Sequence, residues 1–522
     1  MRATSLLLVG ILTTAPAAVV AFHVAAPSSK SNPTTTTRLF AASRLSKAAT
    51  LQEWTTQAGI QVGGLEIQKS AFGGLGLVAS KEAAPNTILV AVPSKVALSV
   101  DSTDGPDDAA LMESAVTDRK ILREAPWFVQ FSMYLQALDK ISSTRPAGDM
   151  QAWLDSLPRK FDTPIHWSSP SLQDLQYSHL VDSVARQESE WKSLYASMDK
   201  IAKSTLKLNY KDFVWGCECA RSRAFSGAYT GAAFNPGIYV FTLLLVTVYV
   251  GLGLGTLEQA ANGAGLVFCA SVFKDFVIPK LFKTKKFVIC PLIDMANHDS
   301  IKARAEVSFE FFADSYSLAS TADVASGDEL FISYGSRSND QLLQYYGFVE
   351  PDNPHDVYVM PPLREWDIGA LEKACGRTFA PGRLEKLNRA GLLGSLSEQD
   401  NADDYYGVAN PKGGVVVTRA AGIDPAVVQA LRALVSTDEE WEAAGEAIGN
   451  FAELMSAANE QSANMAARKA LELELASKET TLEQDVELLK RRTKSSEPEE
   501  QLALRFRIEK KMLLREMIET LQ

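Results

Sequence analysis

Cysteine and histidine are scarce in this chain, five of each in 522 residues. Cys217, Cys219, Cys269, Cys290 and Cys375 are scattered, which excludes a disulfide-stapled scaffold. Cys217-Glu-Cys219 has the spacing of half a metal site, but no matching Cys/His cluster accompanies it. His23, His166, His179, His298 and His355 stand in no ligand-spaced motif either, so no metal is expected. Positive charge is also in deficit. The net charge of −11 excludes nucleic acid as the main partner, because phosphate binding needs a basic footprint. Two local absences stand out: no acidic residue occurs from Phe22 to Lys47, and no charged residue from Ala224 to Leu257.

The two gaps carry different meanings. Arg2 precedes the apolar run Leu6–Leu12, and small residues lead to Ala21, which suits a signal peptide over 1–21. Residues 22–47, rich in Ser, Thr and Ala with Lys30, Arg38, Arg44 and Lys47, have transit-peptide composition. In sequence they resemble a bipartite plastid presequence, with Phe22 at the junction; a secreted protein with a Ser/Thr-rich linker is the competing reading. The second gap contains Gly237–Gly255, a 19-residue apolar run close to the roughly 20 residues that span a bilayer. A shorter apolar stretch, Gly263–Phe273, follows, and then Lys274, Lys280, Lys283, Lys285 and Lys286. Membrane contact through 237–255 competes here with a buried helical pair.

Several segments carry chemistry. Short β-type runs surround Gly74-Leu75-Gly76 and Thr87–Pro93, and glycine lets a backbone approach a ligand closely. Residues from about 101 to 220 read as helical, ending in Arg221-Ser222-Arg223. The apolar run beginning at Cys290 reads as a strand that ends in Asp294, Asn297 and His298, polar groups able to hold an adenosine-type ligand. Tyr334 emerges from the apolar run Leu330–Ile332, and Tyr346 lies in Tyr345-Tyr346-Gly347-Phe348. After Asp356 the pattern turns helical, with Trp441–Ala476 and Leu482–Leu521 dense in Ala, Leu, Glu, Lys and Arg. No strict heptad persists there, which disfavours a coiled coil.

These pieces, in this order and spacing, resemble the SET-domain protein-lysine methyltransferases of the plastid Rubisco large-subunit methyltransferase subfamily. The resemblance spans about 60 to 522 and implies an α+β fold. A β-rich SET domain would occupy 60–350, broken by a helical insert at about 101–220 and by the apolar insertion at about 231–285. An all-α substrate-binding domain would follow at 356–522. The implied cofactor is S-adenosyl-L-methionine, bound by Gly74, Leu75, Gly76, Ser222, Arg223, Asp294, Asn297 and His298. Tyr334 and Tyr346 would be catalytic and line a lysine channel. Gly73 and Gly227 depart from the subfamily, which often has an acid and an arginine there.

Methyl transfer from a sulfonium needs little acid–base machinery: a neutral amine must be held in line, in a dry channel. Tyrosine hydroxyls and carbonyls suit that task without competing as nucleophiles. The implied partner is a plastid protein with a target lysine, of the Rubisco large-subunit or fructose-bisphosphate aldolase type. A protein-histidine methyltransferase is one alternative; the actin-histidine relative lacks a tyrosine matching Tyr346. A non-catalytic SET-fold scaffold at a plastid membrane is another. Arg337 and Asn339 are expected to fix the loop between the tyrosines, and Asp485, Arg505 and Arg507 to be structural. The helical domain is expected to act as a docking surface whose removal weakens substrate binding far more than cofactor binding.

Overall fold

The structure, a computed structural model, describes residues 50–521 except 71–73, 102–104, 107–124, 142–149, 199, 206, most of 228–285, 311–312, 394–409, 446–447 and 492–497. The signal and transit segments, Gly73 and most of the apolar run 237–255 lie outside the described residues.

Strands of the N-terminal half are short and buried on one or both faces. β1 (Gln61–Val62), β4 (Ile88–Pro93), β9 (Asn297–His298), β10 (Ala303–Glu310), β11 (Ser315–Ser320) and β12 (Phe331–Ile332) form one sheet, in the order β1-β4-β11-β10-β12-β9. Most of its pairs are antiparallel, but β12 runs parallel to both β10 and β9. β2 (Leu65–Lys69) and β3 (Leu75–Ala79) make a separate hairpin. β5 (Leu98–Asp101), β6 (Gly105–Pro106), β7 (Phe225–Gly227) and β8 (Lys286–Ile289) form a third sheet, ordered β6-β5-β8-β7. The stretch read as helical from 101 therefore begins with a β5–β6 pairing, Val100 opposite Pro106.

Among the principal helices, α1 (Trp127–Ile141) and α3 (Tyr210–Arg223) cross closely because Gly216 faces Ser132, where an added Cβ would lie 2.3 Å from Ser132 Oγ. Ser132 Oγ donates to the Phe213 carbonyl and Gln136 Nε2 to that of Asp212, so polar groups at the crossing are satisfied. This crossing aims the C-terminal end of α3, with Ser222 and Arg223, at the sheets. The long helix between them, α2 (Ser178–Ser197), serves two cores: Trp191 packs beside Phe128 in the first, while Leu180 and Val184, with Trp167, Leu175 and Tyr177, join a second core with the C-terminal region.

That second core gathers α4 (Pro425–Val435), α5 (Ala457–Ala476) and α6 (Pro498–Thr520). The α+β class and a mostly helical C-terminal region hold. In place of an all-α domain, however, β13 (Val357–Met360), β14 (Val415–Thr418) and β15 (Gly422–Ile423) form a small antiparallel sheet. All residues of β13 and β14 are buried, so neither strand shows the polar alternation by which a half-exposed strand is recognised. Among the described residues no helix is long and apolar enough to cross a membrane. Leu244, Val246–Val248 and Val250–Gly251 are helical, with Leu244, Val248 and Leu252 exposed.

Lys510 on α6 ties the second core to the segment before Tyr346. Its ammonium, 2% exposed, donates to Asp340, to Asp356 Oδ1 at 2.8 Å and to the Val357 carbonyl at 2.6 Å. Asp356 also accepts from the Asn339 amide at 2.9 Å, so the charge reaches the segment leading to Tyr346. Burial pushes the Asp340 carboxyl up to about 6, against the pull of Lys510. The helical region is therefore anchored by buried charge to the segment that leads to Tyr346. As structural anchors, Arg507 and Lys511 converge on fully buried Asp485, while Arg505 stays exposed.

Lys510→Met should cost about 3–5 kcal/mol in urea unfolding, because it strands two buried carboxylates. Adding Asp340→Leu and Asp356→Asn to Lys510→Met should recover part of that loss, because asparagine keeps an acceptor for the Asn339 amide without a stranded charge. A Lys510→Met protein within about 1 kcal/mol of the parent would show that the cluster is not a tie.

Candidate active site

Parallel pairing of β9 with β12 sets Asn297 opposite Phe331 and His298 opposite Ile332, two residues before Tyr334. The Tyr334 amide donates to His298 Nδ1 at 3.1 Å, and the two rings stack at 4.9 Å. His298 Nε2 lies 3.3 Å from Glu350 Oε2 and 3.2 Å from Ser300 Oγ. A proton on Nε2 satisfies both sides of the ring. With its side chain fully buried, His298 holds Tyr334 in place rather than reaching toward a ligand.

Tyr334 Oη donates to the Ala296 carbonyl at 2.9 Å, and the Tyr346 ring stacks on Tyr334 at 4.9 Å. Tyr346 ends a single π-helical turn, Leu342–Tyr346, closed by Gly347 at φ 75°; such turns recur at functional sites because they re-aim one side chain. As expected, Arg337 and Asn339 fix the intervening loop. Arg337 Nε donates to the Tyr334 carbonyl, and buried Asn339 bonds Glu350 through both its amide nitrogen and its side-chain oxygen. Burial pushes the Tyr334 phenol above its ordinary value, so it is neutral at physiological pH.

Asp294 does not end a strand. β8 stops at Ile289, and Asp294 sits in the 3₁₀ turn Ile293–Met295, entered through Leu292 at φ 73°. A buried leucine in the left-handed region is strained and must be held by its surroundings. Asp294 supplies that hold: its amide donates to the Cys290 carbonyl at 2.9 Å, and its carboxylate accepts from Arg223 at 2.8 Å and from Trp153 Nε1 at 3.3 Å. Arg223 also donates to the Asp294 carbonyl at 3.1 Å, while its Nε is buried without a protein partner. Burial pushes the Asp294 carboxyl above its ordinary value and Arg223 pulls it back; the geometry is that of an ionised pair.

Ser222, Arg223, Asp294, Tyr334 and Tyr346 line one cavity of about 600 Å3, with Ala296, Ile332, Arg337 and an exposed carboxylate, Glu306, also in its walls. The Ser222 hydroxyl is turned back onto the Glu218 carbonyl at 2.7 Å. Gly74, Leu75 and Gly76 are not in this cavity. Leu75 and Gly76 meet Asn297 and Glu329 instead: Asn297 Nδ2 donates to Glu329 Oε1 at 2.7 Å and to the Leu75 carbonyl at 3.3 Å. An added Cβ on Gly76 would lie 2.4 Å from Glu329 Oε1 and 2.8 Å from Asn297 Nδ2. Trp153 and Glu329 are the positioning residues that sequence reasoning missed. Only the apolar run Leu330–Ile332 beside Glu329 gave a signal.

Gly76→Ala should cost about 1–3 kcal/mol, by forcing apart the Asn297–Glu329 bond. Gly74→Ala meets open space and carries only the left-handed backbone penalty of about 1 kcal/mol. Equal costs in denaturant titrations of the two variants would show that the Gly76 cradle yields.

Comparison with known proteins matches this architecture. The family model described as Rubisco LSMT substrate-binding fits residues 378–514. The chain is 22% identical over 455 residues to the chloroplastic ribulose-1,5-bisphosphate carboxylase/oxygenase large subunit N-methyltransferase of Pisum sativum, covering 84% of this chain and 75% of that protein. It is 25% identical over 356 residues to the actin-histidine N-methyltransferase of Drosophila melanogaster, covering 66% of this chain and 56% of the relative. Against the Canis lupus familiaris enzyme of that name, identity is 21% and the alignment spans 43% of the relative, so the chain matches about half the length of these actin-histidine enzymes. Among solved structures, the SET domain of LSMT bound to lysine and AdoHcy superposes with a TM-score of 0.56 at 19% identity, over 91% of each chain. Rubisco LSMT bound to AdoMet gives 0.55 at 20%, again over 91% of each. By fold and by its C-terminal family match, this chain is a SET-fold protein that resembles the Rubisco LSMT-like methyltransferases.

Proposed function

We propose that this chain is a protein methyltransferase that uses S-adenosyl-L-methionine to methylate a lysine of a plastid protein. The observation that carries this reading is the stacked pair of Tyr334 and Tyr346 in the wall of a cavity that also holds Ser222, Arg223 and Asp294. One feature fits the cofactor: a buried Arg223 Nε with no protein partner. Gly74, Leu75, Gly76 and the Asn297–His298 main chain would hold it on one side, and Arg223 on the other. When bound, it supplies an electrophilic methyl group on a sulfonium. Tyr334 donates its proton to Ala296, which leaves its oxygen lone pairs for the methyl hydrogens or the amine. Because the phenol stays neutral it offers no competing phenolate, and the two rings limit water in the channel.

Transfer to histidine is a second reading, favoured by the actin-histidine relatives. Tyr346 beside Tyr334 favours the slender primary amine of lysine. Plastid location is supported by the chloroplastic relative, and Rubisco large subunit or fructose-bisphosphate aldolase is the substrate type implied. Tyr334→Phe should retain folding and cofactor binding and lower methyl transfer by about 100-fold or more. Radiolabelled cofactor on a plastid extract reads the rate, and amino-acid analysis of the product separates methyl-lysine from methyl-histidine. A variant within a few-fold of wild type removes Tyr334 from the mechanism.

Membrane contact through 237–255 is supported by exposed Leu244, Val248 and Leu252, four residues apart on one helical face. The protein should then sediment with plastid membranes and resist salt extraction, because salt screens charge but leaves apolar burial intact. Leu244→Asp should release it with activity preserved. Extraction of the wild type by salt alone overturns this reading.

A further inference from the structure

Beside the tyrosine-lined cavity, and sharing Ala224, Ser226, Arg337 and Tyr346 with it, lies a groove of about 70 Å3 that the reaction does not use. Trp127, Phe287 and Tyr345 form its apolar walls, and Arg221 lies among them. The Arg221 guanidinium sits 3.8 Å from the Tyr345 ring centroid, 5.1 Å from Phe128 and 5.8 Å from Trp127. Arg223, Arg419, Arg432 and Arg507 each pair with a carboxylate at 2.6–2.9 Å. Arg221 has no carboxylate partner among the described residues. A guanidinium held by ring faces keeps its N–H edge for a planar anion, and the aromatic walls lower the local dielectric, which strengthens such a pair. The groove's volume is that of about two waters at ~30 Å3 each, room for one carboxylate.

We propose that this groove takes the carboxylate of an aspartate or glutamate close in sequence to the methylated residue of the protein substrate, paired with Arg221. The proposal rests on the reading of the neighbouring cavity as the seat of the target side chain. It makes Arg221 a specificity determinant: the substrate is chosen by an acid next to its target, and Glu306 in the main cavity suits the target's own positive charge.

An array of lysine-centred synthetic peptides, with Asp, Asn, Glu, Gln or Lys at each flanking position, tests this with wild type, Arg221→Gln and Arg221→Glu. Bound protein and radiolabelled methyl transferred are read separately, and thermal melts check each fold. Wild type should bind acid-bearing peptides about tenfold better than their amide counterparts at one flanking position. In Arg221→Gln that preference should fall to within about twofold, and Arg221→Glu should turn it toward Lys. Should Arg221→Glu fail to fold, Arg221→Gln, which keeps a planar amide in the groove, carries the test. Equal binding of acid and amide peptides by wild type, including no binding of either, overturns the proposal, as does a preference that survives Arg221→Gln. Acid preference without methyl transfer to any peptide overturns the methyltransferase reading and leaves the groove standing. Methyl transfer without acid preference overturns the groove alone.

Discussion

Two residue pairs of parallel strand, Asn297 with Phe331 and His298 with Ile332, are the constraint on which the site depends. Parallel pairing of segments this close in sequence requires the chain to travel out through β10 and β11 before β12 returns beside β9. That passage places His298 under Tyr334 and leaves Asn297 facing the Gly76 turn, so one short pairing feeds both halves of the site. The segment just before β12 is clamped as well. Asp328 and Leu330 bond the backbone of β3 through Ala79 and Leu77, and Glu329 binds Asn297 between them. Neither tyrosine nor glycine turn can move far without breaking a backbone ladder.

Around this frame, buried charge ties together elements that packing alone would leave free to slide. Arg223–Asp294 joins the end of α3 to the strained turn after β8, and Trp153 adds a bond from the insert. Lys510 joins the last helix to Asp340 and Asp356, and thereby to the turn that aims Tyr346. Such ties add little net stability compared with apolar substitutes, but they are strongly directional. Apolar cores tolerate small shifts, whereas a buried ion pair with additional hydrogen bonds has one good geometry.

Much of the site could be read in the chain because its chemistry is local. Asp294, Asn297 and His298 lie within five residues, and Tyr334 and Tyr346 each sit in a short, recognisable run. Their division of labour could not be read. That the His298 ring is spent on Tyr334 and Glu350, or that the Ser222 hydroxyl turns back on its own helix, depends on partners far apart or on rotamers. Trp153 and Glu329 were invisible for the same reason. Lys510 was hidden by a different rule: a lysine in a charged helix is read as solvent-facing, and this one is buried. β13 and β14 escaped notice because short runs buried at every residue carry no period that separates strand from helix.

β7 and β8 are antiparallel neighbours, with Gly227 opposite Lys286, so the chain leaves for residues 228–285 and returns at two directly paired positions. Its ends are fixed one strand spacing apart, roughly 5 Å. Nothing in the register of this ladder depends on the number of residues between those ends. A relative with a four-residue turn at this point would close the same ladder at a loop-closure cost lower by roughly 2 kcal/mol, since each doubling of loop length adds only about 0.6 kcal/mol. The β7–β8 ladder is therefore a position where a lineage can lengthen or shorten the chain at small closure cost.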